Sequence, residues 1–197
     1  METLIDIFKK YDTDKDTGRY VSNFGHYYGD IYSEIFSFFD RFDKTLNLLE
    51  VGVQRGGSLL CWKDYFVNGN IFGVDISDCR RDDFKREDVT FILSDINKLN
   101  PNQHLLLKDK FFDILIDDGS HDPKDVIAFI KGYLPVMSER GFFIIEDVQN
   151  PDSWLPQILS NVDLTKYKVI TRDYRSKNNR YDDYIIIITN INNNLLK

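Results

Sequence analysis

Leu48-Leu-Glu-Val-Gly-Val-Gln-Arg-Gly-Gly-Ser58 is the stretch whose reading decides the fold. Apolar residues with a single acid, Glu50, run into a glycine turn, and a helix should open at Ser58. Glycine allows a tight turn and lets backbone approach a ligand closely. Downstream, further short apolar runs alternate with helical patterns: strands are expected at Leu46–Val51, Asn70–Ile76, Val89–Leu93, Phe111–Asp117 and Gly141–Glu146. Helices are expected at Ser58–Phe66, Pro101–Lys108, Lys124–Leu134 and Ser153–Asn161. Strands this continuously apolar are covered on both faces, as in a parallel sheet. Repeated strand–helix alternation with right-handed crossovers gives an α/β, doubly wound, Rossmann-like fold.

The alternation stops near the C-terminus. Tyr167–Tyr174 and Tyr181–Thr189 are strand-like, with only the polar Arg175–Arg180 between them, and read as an antiparallel hairpin. The expected sheet therefore has seven strands, mostly parallel. Residues 1–45, rich in Tyr, Phe and Asp and with a helical stretch at Ile31–Phe42, are expected to cap the site above a core of residues 46–190, all in one domain. The Asn-rich end, Asn190–Lys197, is expected to fray.

As a dinucleotide fingerprint the glycine turn is incomplete. Gly52 and Gly57 are present, but Gln54 stands where the middle glycine would approach a pyrophosphate. An adenosyl ligand without pyrophosphate, S-adenosylmethionine, tolerates that loss, with NAD as the competitor. Glu50 would order the loop or reach the ligand's ammonium group. Asp75, ending the second strand, would accept from ribose hydroxyls, and Ser94-Asp95, ending the third, would meet adenine. Each aspartate taken alone is more often a helix cap.

The next two strands also end in acids: Asp117-Asp118-Gly-Ser-His121 and Glu146-Asp147. Neighbouring strands lie about 4.8 Å apart, so these carboxylates would crowd one volume. Crowded like charges call for protons or a cation. Oxygen ligands without cysteine select a hard ion, Mg2+ first, with Ca2+ or Mn2+ as alternatives. His121, expected at a helix start, suits a general base. Tyr27, Tyr28 and Tyr32 would line an acceptor pocket or simply pack the cap. Arg172, Arg175, Lys177 and Arg180 would hold a diphosphate or form a solvated loop.

Composition narrows the partners. The 197 residues are 42% hydrophobic, 14% aromatic and 29% charged, with a net charge of −7. An acidic chain has no broad attraction for nucleic acid or anionic membrane. The first ten residues lack a signal-peptide pattern, and the longest apolar run, Ile185–Ile188, is too short to span a bilayer. Cys61 and Cys79 have no paired or metal-like spacing, and Cys61 is expected to be a buried thiol. The expectation is a cytoplasmic, reduced protein.

Asp118-Gly-Ser-His121 with Glu146-Asp147 resembles the metal-dependent macrolide sugar O-methyltransferases of the mycinamicin and tylosin type. So do Tyr11-Asp-Thr-Asp-Lys15, His26-Tyr-Tyr-Gly-Asp-Ile-Tyr32, Leu49-Glu-Val-Gly-Val53 and Gly56-Gly-Ser-Leu59; together the resemblance spans about residues 10–150. It implies a class I S-adenosylmethionine-dependent methyltransferase. It also implies Asp118, Glu146 and Asp147 as metal ligands and His121 as the catalytic base. Glu50, Gly52, Asp75 and Asp95 fall on the cofactor side, with Gly56, Ser58 and Asp117 beside them. The implied reaction is Mg-assisted methylation of a sugar hydroxyl on a nucleotide-sugar, glycan or glycoside, with Tyr28, Tyr32 and Arg175 toward the acceptor. Gln54-Arg55 departs from the family, which more often has glycines there. The oligomeric state stays open, a homo-oligomer included. Rival readings are a catechol-type O-methyltransferase, an NAD(P)-dependent sugar-modifying oxidoreductase and a non-catalytic adenosyl-binding module.

Overall fold

The apolar runs become adjacent strands of one sheet. In the computed structural model these are β1 (Asn47–Val51), β2 (Asn70–Asp75), β3 (Val89–Leu93), β4 (Phe112–Asp117), β5 (Met137–Ile145), β6 (Tyr167–Asp173) and β7 (Tyr184–Asn190). Their order is β3-β2-β1-β4-β5-β7-β6. The pairs from β3 to β5 are parallel, while β7 lies antiparallel between β5 and β6. This is the expected Rossmann-like sheet with its C-terminal antiparallel hairpin. The structure describes residues 2–11, 13–16, 25–82, 84 and 86–193. Asp12, residues 17–24 of the expected cap and the last four residues of the Asn-rich end lie outside the described residues.

Alternate strand residues serve two separate cores, as the two-residue period of a strand requires. Leu48, Ile114, Ile116, Phe142 and Ile144 face one side, with helices α1 (Leu4–Tyr11), α2 (Gly29–Phe36) and α3 (Gly57–Tyr65). Leu49, Val74, Leu115, Phe143 and Ile145 face the other, with α4 (Pro123–Tyr133) and α5 (Pro151–Leu159). Trp62 of α3 anchors the first core. Its ring centroid lies 5.6 Å from Phe8, 5.0 Å from Tyr32 and 5.1 Å from Phe36. Losing so large a fully buried ring costs about 3–5 kcal/mol. Cys61 is buried in the same layer, as expected of it.

Four local expectations differ from what forms. Pro101–Lys108 is a series of turns rather than a helix. Asn100 takes the amide of Asn102 on its side chain, and Leu105 and Leu106 face solvent, leaving Leu107 as the leucine that anchors the segment to the core, too little to hold a helix there. The helix expected at Ile31–Phe42 is α2, which stops at Phe36 and gives way to turns. Helix α1 was not anticipated at all. Last, the polar loop of the hairpin contains a short helix, α6 (Arg175–Asn178), and β7 begins at Tyr184 rather than Tyr181.

From β1 the chain runs outward to β2 and β3, then crosses back to β4 on β1's other side. The amide of Asp118 donates to Val51 O at 2.9 Å, so the ends of β1 and β4 are tied where the sheet order reverses. In open α/β sheets that reversal leaves a crevice beyond the carboxyl ends of the strands. Among the described residues no helix is long and apolar enough to cross a membrane.

Candidate active site

A two-lobed cavity fills that crevice. The larger lobe, about 540 Å³, is lined by Lys15, Gly52, Ser58, Asp118, His121 and Asp147 among others. The smaller, about 210 Å³, is lined by Val74, Ile76, Ser94, Asp95, Ile96 and Asp117. Gly52, Asp75 and Gly119 border both lobes.

The glycine turn shapes the floor. Gly52 (φ +87°) and Gly56 (φ +82°) adopt the left-handed backbone that glycine takes without strain. Asp75 braces the turn: its Oδ2 accepts from the amides of Val53 (2.8 Å) and Gln54 (2.9 Å), and its Oδ1 from Ser77 N (3.0 Å). Asp95 caps the short 3-10 turn Ile96–Lys98, accepting from Asn97 N, while still lining the smaller lobe. The capping alternative is therefore realised for Asp95, whereas Asp75 holds the glycine turn instead of capping a helix; both also stand in the pocket wall. Asp117 lies buried at the end of β4; burial lifts its carboxyl to about 6, with the amide of Gly119 opposing.

Glu50 does what a loop-ordering acid should. Fully buried, its Oε2 accepts from Ser58 Oγ at 2.7 Å and Trp62 Nε1 at 3.0 Å. Burial lifts its carboxyl to about 7, with Lys15 opposing. Among the described residues its Oε1 has no hydrogen-bond partner, and it faces Lys15 Nζ at 3.6 Å.

At the other end of the large lobe, Asp118, His121 and Asp147 each offer a ligand atom, all within 4.8 Å of one another. His121 Nε2 lies 3.9 Å from Asp147 Oδ2. It sits just before α4 rather than on it, because Asp122 takes the N-cap and accepts from Lys124 N. His121 (φ +52°) and Asp147 (φ +53°) are both left-handed, as is Gln54 (φ +46°) in the cofactor turn. Such strain in residues other than glycine gathers where side chains are held for a task.

Glu146, expected as a ligand beside Asp118 and Asp147, is engaged elsewhere. Its oxygens accept from Lys15 Nζ, at 2.6 Å, and from the hydroxyl of Tyr32. Lys15 Nζ also donates to Asp118 Oδ2 at 2.5 Å. Burial would push the Lys15 ammonium down, but Asp118, Glu146 and Glu50 hold it well above the ordinary lysine range. Burial and neighbouring acids raise the carboxyls of Asp118 and Glu146 in turn.

The residues expected to face an acceptor have other uses. Tyr28 and Tyr32 are fully buried, so neither offers a stacking surface. The Tyr28 hydroxyl donates to Asp147 Oδ1 at 2.7 Å, as that of Tyr32 does to Glu146. Aromatic packing in the first core seals the rings and leaves only their hydroxyls to reach the acids. In the hairpin loop Arg175 is paired with Asp173 (2.7 Å), Arg180 with Asp182 and Asp183 (3.2 Å each), and Lys177 lies 3.7 Å from Asp30. The basic patch is thus answered by its own acids, a consequence of Asp-rich flanks folding back on the loop.

Two residues were missed. Lys15 and His26 both come from the N-terminal region and both are buried. His26 Nδ1 lies 2.6 Å from Asp183 Oδ1 and 3.3 Å from Asp147 Oδ1, and its ring stacks on Tyr28 at 4.7 Å. Both stand inside blocks that carried the resemblance, which was the available signal. Helices α1 and α2 themselves cover a sheet face; the segment between them reaches the site.

A divalent ion fits these donors. The trio offers two carboxylates and an imidazole in an open lobe, and a single ammonium answers Glu50, Asp118 and Glu146 around it. That leaves negative charge for a hard cation to offset.

Residues 49–148, from the glycine turn through the second acid pair, match the family model described as a methyltransferase domain. The chain is 33% identical over 133 residues to 8-demethyl-8-alpha-L-rhamnosyl tetracenomycin-C 2'-O-methyltransferase of Streptomyces olivaceus, covering 63% of this chain and 34% of that protein. It is 31% identical over 150 residues to mycinamicin VI 2''-O-methyltransferase of Micromonospora griseorubida, covering 71% and 37%. The chain thus spans about a third of the length of these relatives. Among solved structures it is similar to the MycE methyltransferase of the mycinamycin biosynthetic pathway in complex with Mg, SAH and mycinamycin VI. The TM-score is 0.67 at 23% identity, over 98% of this chain and 56% of that one. A SAH-bound methyltransferase of Podospora anserina gives a TM-score of 0.63 at 16% identity, over 96% and 88%. With a glycine turn after β1, acid pairs at the ends of β4 and β5, and a family match that spans both, the chain belongs to the class I methyltransferases.

Proposed function

We propose that this chain uses S-adenosylmethionine and a divalent cation, Mg2+ foremost, to methylate a sugar hydroxyl on a glycosylated small molecule. The observation that carries the reading is the meeting of Asp118, His121 and Asp147 in the lobe that the Glu50–Ser58 turn also lines. The relatives named above are methyltransferases of rhamnosyl tetracenomycin and of mycinamicin, which supports a glycoside acceptor. The paired charges of the hairpin loop favour an uncharged acceptor over a nucleotide-sugar, because a diphosphate would have to displace Asp173, Asp182 and Asp183 from their arginines.

Each residue has a stated part. Gly52 lets the turn pass against the Asp118–Gly119 backbone, and Asp75 holds the amides of Val53 and Gln54 so that the turn keeps its shape. The apolar walls at Val74, Ile76 and Ile96 suit adenine, with Asp95 and Ser94 at its edge. Asp118 and Asp147 would hold the ion, with Glu146 as a further carboxylate behind them. When bound, the ion lowers the pKa of a coordinated hydroxyl and S-adenosylmethionine supplies the methyl group. His121 then takes the acceptor's proton at its ring nitrogen, and Asp147 beside it steadies the charged imidazole. Tyr28 holds Asp147 in place from behind; burial, then Asp147 itself, keeps the phenol protonated, so it serves as donor.

The deciding experiment is methyl transfer from labelled S-adenosylmethionine to a panel of neutral glycosides, catechols and nucleotide-sugars, with Mg2+ and with EDTA. Turnover of glycosides that EDTA abolishes is expected. Undiminished turnover in EDTA, or turnover of catechols alone, would overturn the reading.

A further inference from the structure

Lys15 stands between the two halves of the site, and its surroundings are uneven. Its ammonium lies 2.5 Å from Asp118 Oδ2 and 2.6 Å from Glu146 Oε2. The third acid, Glu50, presents Oε1 at 3.6 Å, beyond hydrogen-bond reach, and that buried oxygen has no hydrogen-bond partner among the described residues. A buried acceptor left without a donor is costly, so it is a place a donor would move to if released from elsewhere. Release has a cause: a divalent ion held by Asp118 and Asp147 shares Asp118 with the ammonium, and two cations on one carboxylate repel. A shift of about an ångström, well within lysine's rotamer freedom, carries Nζ onto Glu50.

We propose that Lys15 is a positioning residue with two stations: it sits on Asp118 and Glu146, and ion binding moves it onto Oε1 of Glu50. The move frees Glu146 toward the ion and completes the hydrogen bonding of the acid that holds Ser58 and Trp62 beneath the cofactor turn. Cation binding and cofactor binding are then coupled through one side chain. The inference rests on the divalent-cation site proposed above.

The test is Mn2+ affinity by electron paramagnetic resonance, without cofactor, for wild type, Lys15→Met and Glu50→Gln, each checked for folding by its thermal transition. Because Lys15 competes for the ion's carboxylates, Lys15→Met should bind Mn2+ at least tenfold more tightly. Glu50→Gln, whose residue is not among the ion's ligands, should bind it several-fold more weakly at pH 8, where the Glu50 carboxyl has lost its proton and offers the ammonium a charged second station that glutamine lacks. A fixed structural tether predicts the reverse for Lys15→Met, weaker or unchanged binding, and no effect of Glu50→Gln; either result overturns the proposal. Should Lys15→Met not fold, Glu50→Gln decides alone. A wild type that binds no Mn2+ sinks the cation site and this inference with it. A wild type that binds while Lys15→Met binds no tighter sinks the inference alone. Titration with S-adenosylhomocysteine gives the second reading: Mn2+ should tighten its binding to wild type several-fold more than to Lys15→Met.

Discussion

Gly52→Ala tests whether the cofactor turn and the acid loop are one mechanical unit. Gly52 follows the first strand with φ +87°, and a Cβ there would lie 1.8 Å from Asp118 O, 2.4 Å from Asp118 C and 2.9 Å from Gly119 Cα. All three are backbone atoms, so no side chain can rotate away. Asp118 is also pinned, its amide donating to Val51 O at 2.9 Å, while Gly52 N donates to Val74 O at 3.0 Å. The left-handed conformation costs alanine about 1–2 kcal/mol. Forcing backbone apart adds about 1–3 kcal/mol, and a lost buried hydrogen bond about 1 kcal/mol. Together a loss of about 3–6 kcal/mol is expected on urea denaturation. Gly56→Ala is the control: its φ is +82°, but its Cβ meets the Phe84 ring at 2.6 Å, a side chain that can yield. It should lose only about 1–2 kcal/mol. Calorimetry with S-adenosylhomocysteine and with Mn2+ completes the test, since moving Asp118 must weaken both ligands. If Gly52→Ala stays within about 1 kcal/mol of wild type, or loses cofactor affinity with Mn2+ binding intact, the mechanical link is refuted.

Four further outcomes are expected. His121→Ala should lower kcat by about 10²–10⁴ with cofactor affinity unchanged, measured by steady-state kinetics and calorimetry; an unaltered kcat would remove His121 as the base. Arg175→Ala should leave the acceptor KM unchanged, because Arg175 is spent on Asp173. Glu50, lifted to about 7 from an ordinary 4.5, keeps its proton in the folded protein at pH values where the unfolded chain has lost it. Its contribution is therefore full below about pH 4.5 and is lost as pH rises through 7, by an amount on the order of 3 kcal/mol; Glu50→Gln should flatten that fall in denaturation series, and an unchanged slope would discredit the assignment. Asp64, which takes Lys10 Nζ (2.7 Å), Tyr11 Oη (2.6 Å) and an Arg86 nitrogen (2.8 Å), is held down at about 2 against burial. This aspartate stabilises above pH 3.8 and ceases to as pH falls through 2; Asp64→Asn should cost about 1–2 kcal/mol at neutral pH by urea denaturation.

The sheet was legible because its signals are local. Apolar runs of strand length mark β1 to β5 wherever both faces are covered, and a glycine turn at Gly52 to Gly57 marks the first crossover. The paired acids at the ends of β4 and β5 followed from counting along those strands, since parallel neighbours bring their carboxyl ends together. Helix boundaries were less legible, as the turns at residues 101–108 show, because a helix is held by packing that a short segment does not reveal.

Chain order, composition and strand-end chemistry thus determined the fold, the cofactor turn and the candidate roles of Asp118, His121 and Asp147. Tertiary structure alone decided which groups those acids answer to. Lys15 meets Asp118 and Glu146 across 103 and 131 residues of sequence, and His26 meets Asp183 across 157. Nothing local in the sequence encodes such pairings. Likewise, Tyr28 and Tyr32 read from sequence as candidate sugar-stacking rings, but the first core buries them and turns their hydroxyls to the acids. The physical reason is range: strand and turn preferences act over a few residues, whereas the partner of a buried charge is chosen by whatever the finished fold brings within a few ångströms of it.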